Sequence, residues 1–345
     1  MIDLTDTVVE KAVVHFVGNS SRGEPLSISN NLVKLDPKLQ SSLIQLFFYP
    51  FLRGIEEHEF FHEIDLKHNE MYSYLQDFEE GTNNFKQFSK NTSSFLYRLT
   101  THPNILTGDL IISAISGVKY KSNLYSAIAI VKSERKNQYI DVLRSDESIT
   151  VQLKDGIDLK GLDKAAIILL GNNKKIFHYN NRRNDAIYWA KDFLGCRPSG
   201  TSENKTKAFM DACISFCKSI NPENDLQNST TNLNSEISAY IDKNEKLDYK
   251  ELKKSLSINK ELESAFDQHI TVKEEQLKIS LKDKFILDQS KRAPFRKKLE
   301  KLIKLDTNVD IKIKIDTSKP NSIIEKGFDN KKKMNYYKIY FNKEG

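Results

Sequence analysis

Residues 109–132 read DLIISAISGVKYKSNLYSAIAIVK: two apolar runs, Asp109–Val118 and Leu124–Lys132, on either side of Lys119-Tyr120-Lys121-Ser122-Asn123. Period-two alternation marks a strand, and a short polar break between two such runs marks a hairpin, here with a basic tip. Downstream, Tyr139–Leu143, Ile149–Leu153, Ala165–Leu170 and Lys175–Tyr179 extend the pattern into an antiparallel meander. Upstream, Glu10–Val17 (EKAVVHFV) reads as a first strand. Asp36 and Pro37 supply a cap and first position for an apolar helix continuing to Pro50, and two more helices follow over 67–79 and 82–100. DAIYWAKDFL (185–194) returns to helix, with Ala186, Trp189 and Phe193 on one face and Gly195 to stop it.

Beyond residue 200 the periodicity is helical, over 205–220, 234–242, 248–256 and 260–268, with NPENDLQNSTTNLN (221–234) as a polar linker. Phe295, Leu299, Leu302 and Ile303 form the stripe of a short amphipathic helix whose first turn suits Pro294. Two strands end the chain, Val309–Ile315 and Tyr336–Phe341, joined by a loop holding Gly327 and Lys331-Lys332-Lys333. The expected class is α+β: an N-terminal antiparallel sheet with helices, then a helical region ending in a small basic β hairpin. The expected domains are 1–197 and 198–345.

Hydrophobic residues make up 39% and Gly plus Pro only 21 of 345, as in a globular protein rather than a disordered or fibrous one. No apolar run reaches the roughly 18 residues of a membrane span, and the start, MIDLTD, lacks the basic and apolar segments of a signal peptide. The expectation is a cytoplasmic protein without a membrane partner. Cys196, Cys213 and Cys217 form no metal or redox spacing and read as reduced core residues.

The stretch HEFFHEIDLKH (58–68) sets His58, His62 and His68 at the spacing of a metzincin zinc site, with Glu59 as general base. Asp65 stands where that pattern needs Gly, and Met71 lies too close to form the methionine turn beneath the metal. The favoured reading is an aromatic helix with His and Glu on its wet side and Phe60 and Phe61 inward. A zinc hydrolase stays as an alternative. No P-loop, G-x-G-x-x-G or G-x-S-x-G motif is present, so no catalytic set and no cofactor is expected.

Charge is segregated. Residues 291–345 hold 16 Lys/Arg against 7 Asp/Glu, whereas residues 1–290 hold 37 against 40. Lys297, Lys301 and Lys304 fall at helical spacing opposite the apolar stripe, beside Lys298. Lys312 and Lys314 alternate with isoleucines, and Tyr336, Lys338 and Tyr340 face away from Tyr337, Ile339 and Phe341. With Lys331, Lys332 and Lys333, these residues form the candidate nucleic-acid surface: lysines displace counterions from phosphates while tyrosines bond or stack. Fourteen of the 16 cations are Lys, which favours backbone contact over base readout. Lys174, Lys175, Arg182 and Arg183 form a weaker second patch.

Several segments, in order, resemble the NdpA (YejK-like) nucleoid-associated family. They are DLKHNEMYSYLQDFEE (65–80), FLYRLTTHPNILTGDLIISAI (95–115), AIAIVKSE (127–134), GIDLKGLDKAAIILL (156–170) and DAIYWAKDFLG (185–195). KKLEKLIKLDTNVDIKIKID (297–316) and IIEKGFDNKKKMNYYKIYF (323–341) are similar to the branch found in Bacteroidetes-like bacteria. The resemblance implies a nucleoid-located protein that binds duplex DNA without a strong sequence rule, and it supplies no catalytic residues. A second reading is an interaction module that docks on DNA-processing proteins. Unpaired strand edges, with the resemblance, leave room for a homodimer.

Overall fold

The computed structural model describes residues 2–52, 54–145, 148–181, 187–219, 227–256, 259–299, 301–304, 310–313, 324–341 and 343. The chain forms two compact units, Met1–Ser199 and Gly200–Gly345.

The first unit is built on nine antiparallel strands: β1 (Ile2–Asp3), β2 (Val8–Val17), β3 (Leu26–Ser27), β4 (His58–Phe60), β5 (Gly108–Tyr120), β6 (Asn123–Ser133), β9 (Lys164–Leu169), β10 (Lys175–Asn180) and β11 (Cys196–Pro198), with β7 (Asn137–Arg144) and β8 (Ile149–Gly156) standing apart. Their order across the sheet is β11-β4-β10-β9-β6-β5-β2-β3, and β1 also pairs with β5. The β5–β6 hairpin is tighter than its sequence suggests. Both strands run on to Tyr120 and Asn123, leaving Lys121 (φ 48°) and Ser122 (φ 66°) as a two-residue turn. Positive φ at both central residues is the type I′ geometry that matches strand twist.

Both sheet faces are covered. Strand β9, KAAIIL, is buried at every position, so alternation sorts its residues between two cores rather than between core and water. Ile128, Ile130, Ala166 and Ile168 pack with α2 (Glu70–Glu79), α3 (Phe85–Arg98) and the π-helix Ile187–Phe193, through Met71, Leu75, Phe88, Trp189 and Phe193. Ala129, Val131, Ala165 and Ile167 meet Leu43, Leu46 and Phe47 of α1 (Pro37–Phe48) on the other side. As its sequence requires, α1 is capped by Asp36, whose side chain accepts from the Leu39 N–H at 2.8 Å. The expected helix at 185–194 is the π-helix, with Trp189 and Phe193 buried, while Asp185 and Ala186 lie outside the described residues.

The expected continuous meander is broken. Strand β6 pairs directly with β9, and among the described residues β7 pairs only with β8. A place between β6 and β10 demands apolar residues on both faces, which KAAIIL has and the half-polar QYIDVLR and ITVQLKD lack.

The second unit contains α4 (Ser202–Ser219), α5 (Gln227–Lys243), α6 (Tyr249–Ser255), α7 (Lys260–Leu277) and α8 (Arg292–Leu299), with β12 (Lys246–Leu247) paired to β13 (Phe285–Ile286). Phe209, Cys213, Ile237, Ile241, Phe266 and Ile270 lie in its core. The stretch read as a polar linker is helical from Gln227, because α5 begins there rather than at 234.

Helix α8 stops at Leu299, and residues 301–304 are strand β14 (Lys301–Lys304), paired with β15 (Asp310–Ile313). A further hairpin joins β16 (Ile324–Asp329) to β17 (Met334–Ile339). The α+β chain thus ends in a small β hairpin as expected, but β16 and β17 form it; β15 pairs with β14 instead of the last strand, and Gly327 lies inside β16 rather than in a loop. An eight-residue helix gains little from extension, whereas the ladder sets Ile303 against Ile311. Among the described residues, no helix is long and apolar enough to cross a membrane.

Candidate functional site

The convergence of charge in the first unit lies inside it. Lys132 on β6 and Lys164 on β9 are directly paired across the ladder. Alternation places both on the face of Ile128, Ile130, Ala166 and Ile168, beneath the π-helix. Their side chains are fully enclosed. Two ammonium groups side by side in such a place repel and have lost their hydration. Glu134, equally enclosed, offsets this with one oxygen: Oε1 is 3.1 Å from each Nζ. Tyr188 of the π-helix completes the enclosure. Its ring centroid is 5.8 Å from the Lys132 Nζ and 5.6 Å from that of Lys164, and its hydroxyl accepts from Lys132 at 3.3 Å. Lys132 also donates to the Leu106 carbonyl, tying the loop before β5 to the cluster.

Asp163 fixes the rim. Its Oδ2 accepts from the backbone N–H of Glu134 (2.8 Å) and Arg135 (3.1 Å), and its Oδ1 takes the Arg135 guanidinium at 2.9 and 2.7 Å. The second oxygen of Glu134 is buried without a hydrogen-bond partner. Charges held this way clamp strand ends, loop and π-helix together. The ammonium groups have no face on the solvent for a substrate to meet. Lys132 and Glu134 lie in AIAIVKSE, Lys164 in GIDLKGLDKAAIILL, Tyr188 in DAIYWAKDFLG and Leu106 in the 95–115 segment, so four separate stretches bearing the family resemblance meet here. These residues belong to no recognised catalytic or binding motif. The available signal was a Lys at the end of each wholly apolar run, AIAIVK and KAAIILL.

The histidine constellation is not assembled. Residues 58–60 form strand β4, not a helix, and the chain turns away into a 3-10 turn at Leu66–His68. The ladder with β10 and β11 buries His58 and Phe60, overriding any local helical preference. His58 and His62 thus never reach the one-turn spacing a zincin needs. The Nε2 of His58 faces the Nε2 of His178 on β10 at 3.2 Å, and its Nδ1 lies 3.0 Å from the Glu56 carbonyl. Burial, then the charge of His58, pushes the His178 imidazole down to about 3. His62 and His68 pair with each other instead, ring centroids 5.3 Å apart. Glu59, the would-be base, is ion-paired with Arg197 at 2.8 Å. Among the described residues, no group of three His, Cys, Asp or Glu could hold a metal. Asn69 caps α2, accepting from Tyr72 N–H at 3.0 Å.

The basic residues of the C-terminal end fall on three elements. Lys297 and Lys298 are exposed on α8, with Lys298 paired to Asp211 at 2.8 Å. Lys301 and Lys304 lie on β14 and Lys312 on β15, so the helical row of Lys297, Lys301 and Lys304 does not exist. Lys314 lies outside the described residues. Lys331, Lys332 and Lys333 form the exposed turn between β16 and β17, where Asp329 Oδ1 accepts from the backbone N–H of Lys331 (2.8 Å) and Lys332 (3.0 Å). Tyr336, Lys338 and Tyr340 are exposed, and the Lys338 Nζ sits 4.7 Å from the Tyr340 ring centroid. Ile339 and Phe341, expected to be buried, are exposed as well, Phe341 to 70%. In the second patch, Lys174 pairs with Glu79 (2.6 Å) and Lys175 with Glu57 (3.2 Å), while Arg182 and Arg183 lie outside the described residues.

A family model described as nucleoid-associated protein YejK matches residues 13–332. The chain belongs to that family. The match spans both units, the buried lysine cluster and the turn before Lys333. No curated protein matches the chain. Membership in this family associates the chain with the nucleoid and hence with DNA. The three cysteines are free, and Cys213 is buried in the core of the second unit.

Proposed function

We propose that the chain binds duplex DNA largely without regard to sequence, through phosphate contacts made by lysines of its C-terminal end, and that it catalyses no reaction. The supporting observation is the coincidence of family and charge: a nucleoid-associated family and a segment, 291–345, with 16 cations against 7 anions. The Lys331-Lys332-Lys333 turn projects three consecutive ammonium groups from a hairpin whose chain direction Asp329 fixes. Tyr336 on the adjoining strand and Tyr340 just beyond its end flank Lys338 and offer hydroxyls and rings to sugar and base. Lysine is a point charge without the planar fork that reads guanine edges, so affinity without a sequence rule follows. The place of action is the cytoplasmic nucleoid.

Competition between duplexes tests this reading. Two fragments of equal length and unrelated sequence should displace each other at concentrations differing by less than about tenfold, against the 10³ or more of a specific binder. A single sequence preferred by three orders of magnitude would contradict it.

A further inference from the structure

The ribbon of β7 and β8 contributes no residue to any of the three buried cores. Directly opposed residues of an antiparallel pair share a face, and the register sets Ile140 against Leu153, Val142 against Val151, and Arg144 against Ile149. One face therefore consists of Ile140, Val142, Ile149, Val151 and Leu153, with Arg144 at the tip and Gln138 and Asp155 at the base. Its apolar side chains are between 49% (Val142) and 69% (Ile149) exposed. The opposite face is mixed: Tyr139 and Leu143 stand among Thr150, Gln152 and the Lys154–Asp141 ion pair. A two-stranded ribbon is marginal in water on its own, and a contiguous apolar face of this kind marks an interface.

We propose that this face is where two copies of the chain associate, stacked face to face about a two-fold axis lying between the ribbons and perpendicular to the strands. A two-fold contact must be complementary to itself. Five aliphatic side chains satisfy that in the centre, and the charges satisfy it at the ends. This axis lays the tip of one ribbon over the base of the other, so Arg144 of each copy meets the end of its partner where Asp155 stands beside Gln138. Sheets stack about 10 Å apart, a gap that a long Arg side chain spans. The area is sufficient. The apolar face offers on the order of 500 Å² per copy, so apposition covers about 1,000 Å², the lower limit for a specific interface, before the rim is counted. Association through this face is independent of DNA binding, and it would give the assembly two basic ends.

Sedimentation of the full chain at micromolar concentration, without DNA, tests the proposal. The expected mass is twice the 39.8 kDa of one chain. Val142→Asp with Val151→Asp should weaken the dimer by about tenfold or more while leaving the circular dichroism of the folded chain unchanged, because neither residue belongs to a core. Arg144→Asp should weaken it too, and adding Asp155→Arg should restore it. A chain that stays monomeric, including one whose ribbon instead captures a different macromolecule, overturns the proposal. So does a dimer that the Val142→Asp/Val151→Asp variant leaves intact.

Discussion

Lys132 and Lys164 face each other across adjacent strands with their ammonium groups sealed from water, each 3.1 Å from the same oxygen of Glu134. The arrangement is asymmetric in its consequences. Replacing Glu134 by Gln leaves two buried cations without their shared anion, and breaking a buried pair in this way costs about 3–5 kcal/mol. Replacing Lys132 by Met keeps the volume, removes one cation and leaves Glu134 with Lys164, a much smaller loss. Denaturant unfolding should rank Glu134→Gln well below Lys132→Met. The double variant should recover only part of the loss, since the repulsion between the two cations is gone while Lys164 still lacks the Glu134 carboxylate. The reverse ranking would show that Glu134 is not the keystone.

The buried histidines set an acid limit. His178 is held at about 3, by burial first and His58 second, and His15 at about 4, by burial first and Lys90 second, against 6.5 for an exposed imidazole. The unfolded chain therefore takes up protons below pH 6.5 that the folded chain refuses. Stability from these groups is complete above pH 6.5 and is lost progressively as pH falls toward 4 and then 3. Unfolding free energy measured from pH 7.5 to 4 should decline below pH 6.5, and His178→Gln should flatten that decline. An unchanged slope in the variant would remove His178 as a cause.

Gly117 has φ of +74°, and a Cβ there would lie 1.9 Å from the Asp6 carbonyl oxygen, at the register shift between Ile115 and Val118. Both the strain and the collision oppose any side chain. Gly117→Ala should destabilise the fold by about 2 kcal/mol or more, read as a lowered denaturation midpoint at constant m-value. A neutral result would mean that β5 can shed its bulge.

These relationships differ in how far the residues announced them. Asp36-Pro37 and Asn69 cap helices by chemistry confined to neighbouring positions, so they are legible locally. The alternating runs of β5 and β6 are legible for the same reason. His58 is not: whether HEFFHEIDLKH becomes helix or strand depends on β10 and β11, which come more than a hundred residues later. The pairing of Lys132 with Lys164 is likewise a long-range event. It becomes readable only once both faces of the sheet are known to be covered, so that a Lys closing a wholly apolar run must go inside. The basic end shows the converse. Its charge is plain in the composition, but the helical row of Lys297, Lys301 and Lys304 fails because β14 pairs with β15.

The central claim is that lysines of the C-terminal end meet phosphates by displacing counterions. The direct measurement is the duplex-binding constant of the full chain across a series of salt concentrations, beside that of Lys331→Glu/Lys332→Glu/Lys333→Glu. The logarithm of affinity should fall linearly with the logarithm of salt, by about 0.9 per phosphate neutralised, and the variant should bind more weakly with a slope shallower by about 2–3. Absence of duplex binding by the full chain at low salt, or equal slopes for the two proteins, would contradict the account.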